Sequence, residues 1–215
     1  MKNFKYSYNE NFFEKIDNEH KAYWLGFLYA DGGINVGKRS KNLEITLGEK
    51  DKNHLAKFVQ AIEGNMPLHE KMVKLKGKEY KSYRINICNS KLCEDLINLG
   101  CTPNKSLTLT FPQDLEPTLY PHFIRGYLDG DGTISTRCRI SICGTYAFLN
   151  SLQQHLIKEL DVTEVKILSD KRAKHYQYER VGANALKILD YLYSNAEVYL
   201  DRKYDKAIAY LNSNI

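Results

Sequence analysis

Hydrophobic positions along this chain change period in a regular order. Residues 23–34 read YWLGFLYADGGI and residues 123–134 read FIRGYLDGDGTI; each is an apolar run of helical length that ends in an aspartate followed by glycine. Period-two stretches come next: Leu43, Ile45 and Leu47 alternate with Glu44 and Thr46, and Ile140 and Ile142 alternate with Ser141 and Cys143. These predict strands with one apolar and one polar face. Spacing then returns to three and four at Leu55, Phe58, Val59 and Ile62, and at Phe148, Leu149, Leu152, Leu156 and Ile157, which predicts helices. Further strands are expected at 72–75 and 83–88 in the first half, and at 165–168 and 176–181 in the second. A helix closes each half, around 92–99 and 185–193.

The order helix, two strands, helix, two strands, helix is therefore written twice. The two aspartates, Asp31 and Asp131, stand 100 residues apart in a chain of 215. Such a duplication predicts an α+β fold built as a tandem repeat. The divisions read as an N-terminal extension (1–19), a first repeat (20–102), a connection (103–120) and a second repeat (121–215). Four of the five prolines (Pro103, Pro112, Pro117 and Pro121) fall at this join, as in a structured, extended connection. The halves differ at most positions, so the chain resembles a fused dimer with unequal faces.

Composition narrows the class only modestly. The chain is 43% hydrophobic and 27% charged, enough for a core and without the signature of disorder. A net charge of +5 is compatible with nucleic acid or an anionic membrane surface. Five cysteines, with no C-x-x-C pair and no zinc spacing, read as reduced thiols. No signal peptide and no apolar run near the ~18 residues of a membrane span is present, which predicts an intracellular, soluble protein. His20, His54, His69, His122 and His155 form no metal or nucleophile pattern and read as structural or surface residues.

Where the cations fall matters more than their number. Lys71, Lys74, Lys76, Lys78, Lys81 and Arg84 lie within a stretch whose one acid is Glu79. The matching part of the second half carries Lys166, Lys171, Arg172, Lys174 and His175, with Tyr176 and Tyr178 interleaved. Basic turns follow each aspartate: Lys38, Arg39 and Lys41, then Ser135, Arg137 and Arg139. A two-stranded ribbon with this spacing fits the major groove of DNA. Lysines would neutralise phosphates, while Asn35, Glu44, Arg84, Arg137 and Arg139 are suited to base edges. A solvated hairpin whose lysines keep sheet edges from aggregating is the alternative, and its occurrence in both repeats weakens it.

Aspartate at the end of a helix adds negative charge to an already negative terminus. Gly26 and Ala30, like Gly126 and Gly130, are four residues apart and share a helix face, and small residues allow two helices to approach closely. Packing the two helices on these faces would make Asp31 and Asp131 neighbours in need of a cation. Hard oxygen ligands suit Mg²⁺, which keeps several waters and binds phosphate. Metal-assisted phosphodiester hydrolysis is chemistry such a pair can support. A lone Asp-Gly after a helix is usually only a turn; two in a duplicated basic chain ask for more.

The segments Gly26-Phe27-Leu28-Tyr29-Ala30-Asp31-Gly32 and Gly126-Tyr127-Leu128-Asp129-Gly130-Asp131-Gly132 resemble two copies of the motif that names the LAGLIDADG homing endonucleases, in their single-chain, two-motif form. The resemblance runs from about Asn18 to Tyr210. It implies pseudo-symmetric αββαββα units, motif helices at the central interface, and two saddle-shaped antiparallel sheets on the major groove of a long asymmetric duplex site. It also implies that Asp31 and Asp131 bind divalent metal, with the carbonyls of Ala30 and Gly130 as further oxygen ligands. Asp129, whose counterpart is Tyr29, is not expected to be a core ligand. Active-site lysines are implied at Lys105, before the second motif, and at Lys203 in the C-terminal segment. Some relatives place a water-organising glutamine after the first strand; here Glu49 stands in that place, with Gly144 in the second repeat, so the two centres are expected to be unequal.

The expectation is thus a monomeric, site-specific DNA endonuclease that uses Mg²⁺, with Mn²⁺ as a substitute, to leave a staggered break in double-stranded DNA. A free-standing or intron-encoded enzyme is expected, because the repeats use the whole chain. The alternatives are an intron RNA maturase, with host intron RNA as partner, and a catalytically inactive DNA-binding regulator on the same fold.

Overall fold

The structure, a computed structural model, describes residues 6–75, 77–170 and 175–213. The first half begins with helix α1 (Glu19–Asp31), whose start is fixed by the Asn18 side chain accepting from the Lys21 amide at 3.0 Å. Every residue from Ala22 to Tyr29 is buried, so this helix is apolar all round rather than striped. Strands β1 (Gly32–Val36) and β2 (Lys41–Gly48) follow, then a 3₁₀ turn at Glu49–Asp51, helix α2 (Lys52–Ala61), strands β3 (His69–Leu75) and β4 (Lys78–Cys88), and helix α3 (Ser90–Asn98).

The second half repeats the plan. Helix α4 (Tyr120–Asp131), with Pro121 in its first turn, leads to β5 (Gly132–Ser135), β6 (Arg139–Gly144), α5 (Tyr146–Leu160), β7 (Leu168–Asp170), β8 (His175–Val181) and α6 (Gly182–Tyr193). The chain ends in α7 (Asp201–Asn212). All pairings are antiparallel, giving one sheet of order β1-β2-β4-β3 and one of order β5-β6-β8-β7. The expected pseudo-symmetric α+β duplication is therefore the fold observed.

Each sheet buries one face. Leu43, Ile45, Leu47, Ile85 and Ile87 are turned to α2 and α3, and Ile140, Ile142 and Tyr178 are turned to α5 and α6. Helices α1 and α4 cross between the halves, so a single apolar core runs through both. None of the helices among the described residues is long and apolar enough to cross a membrane.

Two features differ from the pattern read in the sequence. The strand expected at 165–168 forms at Leu168–Asp170, because the Val165 amide donates to the Gln153 side chain at 2.9 Å rather than to a sheet neighbour. Helix α7 has its counterpart in the first half only as a 3₁₀ turn, Lys105–Leu107. Lys203 and Ala207 are its buried residues, and Tyr204, Tyr210 and Leu211 pack partly buried against the core on the same helix.

Candidate active site and nucleic-acid interface

The two motif helices touch through backbone. A Cβ on Gly26 would overlap the Phe123 carbonyl, and one on Gly126 would overlap the Tyr23 carbonyl, so each glycine is the hollow into which the other helix fits. A Cβ on Gly130 would clash with that of Ala30 and come within 3.3 Å of Asp31 Oδ2. Both helices then end alike: the amides of Gly32 and Gly132 donate to the carbonyls of Leu28 and Leu128, and the chain turns straight into β1 or β5. Asp31 and Asp131 are thus the last residues of two crossed helices; both are exposed, and Asp131 lines a cleft beside Ala30.

Electrostatics mark the pair. Asp31 is pushed up to about 6, first by loss of surrounding water between the helix ends and then by the charge of Asp131. Asp131 is raised by the same desolvation, against the opposing pull of Lys105, Lys203 and His175. Although solvent reaches both side chains, protein walls them closely enough to make ionisation costly. Among the described residues, no group of three or more His, Cys, Asp or Glu is placed to hold a metal. A donor set of two carboxylates and nearby carbonyls nevertheless fits a hard cation that keeps waters and takes phosphate oxygens.

The two lysines occupy corresponding places but differ in freedom. Lys105, half-buried, donates to the Gly32 carbonyl and lines a 330 Å³ cleft with Ala30, Tyr127, Asp131 and His175. Lys203 is buried and gives all three protons to carbonyls: Leu128 at 2.7 Å, Asp129 at 2.6 Å and Gly132 at 2.6 Å. Desolvation draws its pKa down to about 8. It caps the C-terminal end of α4 directly behind Asp131.

Glu49 lies on the exposed 3₁₀ turn after β2, 3.8 Å from Lys81. Strand register corrects its assumed counterpart. Gly32 faces Ile45 and Gly132 faces Ile142, so four residues further on Glu49 corresponds to Tyr146 rather than Gly144. Gly144 corresponds to Leu47 and lines the cleft beneath the Tyr127 hydroxyl. The centres are unequal, but by Glu49 against Tyr146.

Register also sorts the expected nucleic-acid contacts. The faces turned away from the helices carry Asn35, Glu44, Lys71 and Arg84 in the first sheet and Ser135, Arg139 and His175 in the second. Lys38, Arg39 and Arg137 are exposed on the β1–β2 and β5–β6 turns, and Lys166 is exposed before β7. Four others do not share the open faces. Lys41 points to α3 and pairs with Glu94 at 2.5 Å; Lys74 pairs with Glu79 at 3.3 Å; Lys81 pairs with Glu70 at 3.4 Å. Tyr176 packs edge-on against Tyr146 with centroids 5.4 Å apart. Each has the parity of the core-facing residues, which clustering in sequence conceals. Lys76, Lys171, Arg172 and Lys174 lie outside the described residues.

No family model and no curated protein sequence matches the chain. Solved structures do. The homing endonuclease I-WcaI bound to its DNA recognition sequence aligns with a TM-score of 0.60 at 12% identity, over 91% of each chain. I-SmaMI bound to an uncleaved DNA target in the presence of calcium ions aligns with a TM-score of 0.55 at 14% identity, over 93% of each chain. Full-length DUF199/WhiA from Thermatoga maritima aligns with a TM-score of 0.54 at 14% identity, over 94% of this chain and 64% of that one. The chain therefore spans less than two thirds of the WhiA length. The match to the first two covers nearly the whole of both chains. This is the LAGLIDADG homing endonuclease fold.

The earlier acid of the second motif, Asp129, has a separate place. Asp129 is fully enclosed and accepts from Tyr23 Oη at 2.7 Å, Tyr193 Oη at 2.6 Å and the Leu200 amide at 2.8 Å. Burial raises its pKa, and nothing of it faces the cleft. Its counterpart Tyr29 donates instead to the Leu99 carbonyl, so both positions tie a motif helix to the segment that leads toward a lysine. Arg125, also buried, donates to the carbonyls of Val198 at 2.9 Å and Leu192 at 2.8 Å and to Glu19 at 2.6 Å. Arg202 grips Asp51 through two bonds of 2.8 and 2.9 Å, fixing the start of α7 to the first half. None of these partners was legible as a motif, because each joins segments far apart in sequence.

Proposed function

We propose that the protein is a site-specific endonuclease that binds a long, asymmetric DNA duplex on its two open sheet faces and cuts both strands near the helix crossing, leaving a staggered break. The observation that carries this reading is that Asp31 and Asp131, one from each half, end the two crossed helices close enough for the charge of one to raise the pKa of the other. I-WcaI, of the same fold, is described bound to its DNA recognition sequence, and I-SmaMI bound to an uncleaved DNA target in the presence of calcium ions.

Asp31 and Asp131, with the carbonyls of Ala30 and Gly130, would hold the divalent metal. When bound, Mg²⁺ or Mn²⁺ supplies Lewis-acid stabilisation of phosphate oxygens and a more acidic bound water. The chain's own residues do the rest. Lys105, with a single carbonyl partner at the cleft wall, is placed to offer a proton to a phosphate oxygen as negative charge develops. Lys203 holds the end of α4 and thereby the direction of Asp131. His175 faces the Asp131 side of the cleft, where strand register gives the first half Ser82, so the two strands meet different surroundings.

Incubation with a randomised or genomic double-stranded DNA library and Mg²⁺, followed by mapping of the broken ends, tests the reading. Recurrent breaks at one long site, lost in Asp31→Asn and Asp131→Asn, are expected. Absence of cleavage, or cleavage unchanged in both variants, overturns it.

A further inference from the structure

The two central strands of each sheet carry one arginine–glutamate pair on the open face. In the first sheet, Arg84 on β4 donates to Glu44 on β2 at 3.4 Å. In the second, Arg139 on β6 stands 4.0 Å from Glu179 on β8. Both pairs are diagonal in register. Arg84 lies opposite Thr46 while Glu44 lies opposite Asn86; Arg139 lies opposite Val181 while Glu179 lies opposite Ser141. The acid is the more enclosed member each time, 31% against 37% exposed in the first pair and 29% against 54% in the second. Each acid also has a second donor: the Thr46 hydroxyl reaches Glu44 at 3.4 Å, and the Gln177 amide reaches Glu179 at 3.0 Å. The carboxylates are thus fixed from the sheet floor; Glu44 hydrogen-bonds its guanidinium, and Glu179 stands at ion-pair distance from one that still reaches the open side.

An arginine meant only to neutralise phosphate gains nothing from a carboxylate at its side, which cancels the charge. A planar guanidinium held in one orientation is useful where two parallel hydrogen bonds must be made. In the major groove, guanine offers two adjacent acceptors, O6 and N7, and the matching contact is bidentate arginine. We infer that Arg84 and Arg139 each read a guanine of the bound duplex, one in each arm of the site, with Glu44 and Glu179 as positioning residues that hold the guanidinium planes. This rests on the proposed binding of duplex DNA but not on its cleavage.

Register places the two guanines unevenly. Arg84 lies across from Thr46, next to the Ile45 that faces Gly32, and so stands level with the motif aspartate. Arg139 faces Ser135, four residues beyond Asp131 and about 13 Å along the strand at roughly 3.3 Å per residue. The Arg84 guanine therefore lies nearer the centre of the site than the Arg139 guanine.

Selection of bound sequences from a randomised duplex library, in EDTA so that no cleavage intervenes, tests this. The wild-type chain should require guanine at one inner position in one arm and one outer position in the other. Arg84→Ala should lose about tenfold or more discrimination at the inner position alone, and Arg139→Ala at the outer position alone. Arg84→Lys should keep the salt dependence but not the discrimination. Glu44→Gln and Glu179→Gln should relax the same two positions while leaving affinity for the best site within about threefold. The inference is overturned if Arg84→Ala and Arg139→Ala keep the base-pair preference while the glutamine variants lose it, which would make the acids the readers. Arginine variants that weaken every sequence equally, with a smaller salt slope, would also overturn it. Failure to enrich any sequence overturns the duplex reading along with it. Selective binding without cleavage once Mg²⁺ is added would remove only the endonuclease reading.

Discussion

Gly26 and Gly126 each occupy the hollow of the other's helix, with the carbonyls of Phe123 and Tyr23 where their Cβ atoms would be. The obstruction is backbone on both sides, so no side chain can turn aside to relieve it. Gly26→Ala and Gly126→Ala should each destabilise the fold by about 3 kcal/mol, the upper part of the range for overpacked cores. Ala30→Gly, a turn away on the same face, meets no backbone obstruction and should cost no more than about 1 kcal/mol of helix propensity. Urea denaturation of the three variants checks this. Equal stabilities would mean the helices do not cross where these glycines put them.

The carboxylate pair should reveal itself through pH before any nuclease assay. Asp31 titrates at about 6 in the folded chain against an ordinary 3.8. A raised acid pKa means the native state binds the extra proton, so its stabilising effect is complete below about 4 and lost as pH rises through 6. Asp31→Asn escapes that loss. In metal-free buffer the variant should melt above the wild type at pH 7.5, with the gap closing at pH 4. Mg²⁺ should raise the wild-type melting temperature and leave the variant nearly unmoved. A variant less stable than wild type at pH 7.5 would count against a strained metal-ready pair.

Asp129 should behave as a structural acid although it stands two residues from Asp131. Its three donors come from α1, α6 and the Leu200 amide. Asn at this position keeps one acceptor, and the Tyr193 hydroxyl can rotate to receive from the new amide. Asp129→Asn should therefore cost about 1–2 kcal/mol and retain cleavage. Asp129→Ala, which strands all three donors, should cost about 3 kcal/mol or more. Thermal melts and cleavage of the same target, set beside Asp131→Asn, separate the two acids. Loss of cleavage in a folded Asp129→Asn would assign it a direct role.

Much of the fold was legible because its signals are local and repeated. Alternation at Leu43–Leu47 and Ile140–Cys143, and the small residues at Gly26, Ala30, Gly126 and Gly130, fix faces without knowledge of anything distant. Pairing of Asp31 with Asp131 followed from those faces. What stayed hidden depends on partners remote in sequence or on parity within a strand. Lys74 and Lys81 sit in the chain among lysines expected to face DNA, yet an even or odd step in β3 and β4 turns them to Glu79 and Glu70. Val165 has a strand-like neighbourhood, but Gln153 takes its amide. Tyr23, Tyr193 and Leu200 converge on Asp129 only after the halves have closed.

The two lysines provide the sharpest separation between chemistry and support. Lys105 has one carbonyl acceptor and borders the open cleft, so Lys105→Met should leave the melting temperature almost unchanged and lower kcat about 10²–10³-fold, the loss seen when one donor to a developing oxyanion is removed. Lys203 satisfies the carbonyls of Leu128, Asp129 and Gly132 from a buried position. Lys203→Met would leave them without that donor and should cost about 2–3 kcal/mol, with cleavage impaired through misplacement of Asp131. A pH signature distinguishes this from general damage. Lys203 titrates at about 8 when folded against an ordinary 10.5, so above pH 8 the unfolded chain binds more protons than the native one. Stability contributed by this group should therefore rise with pH from about 8 toward 9.5. Denaturant midpoints of the wild type should show that rise, and those of Lys203→Met should not. If the rise persists in the variant, the proton belongs to another group and Lys203 is not the buried brace its three carbonyls describe.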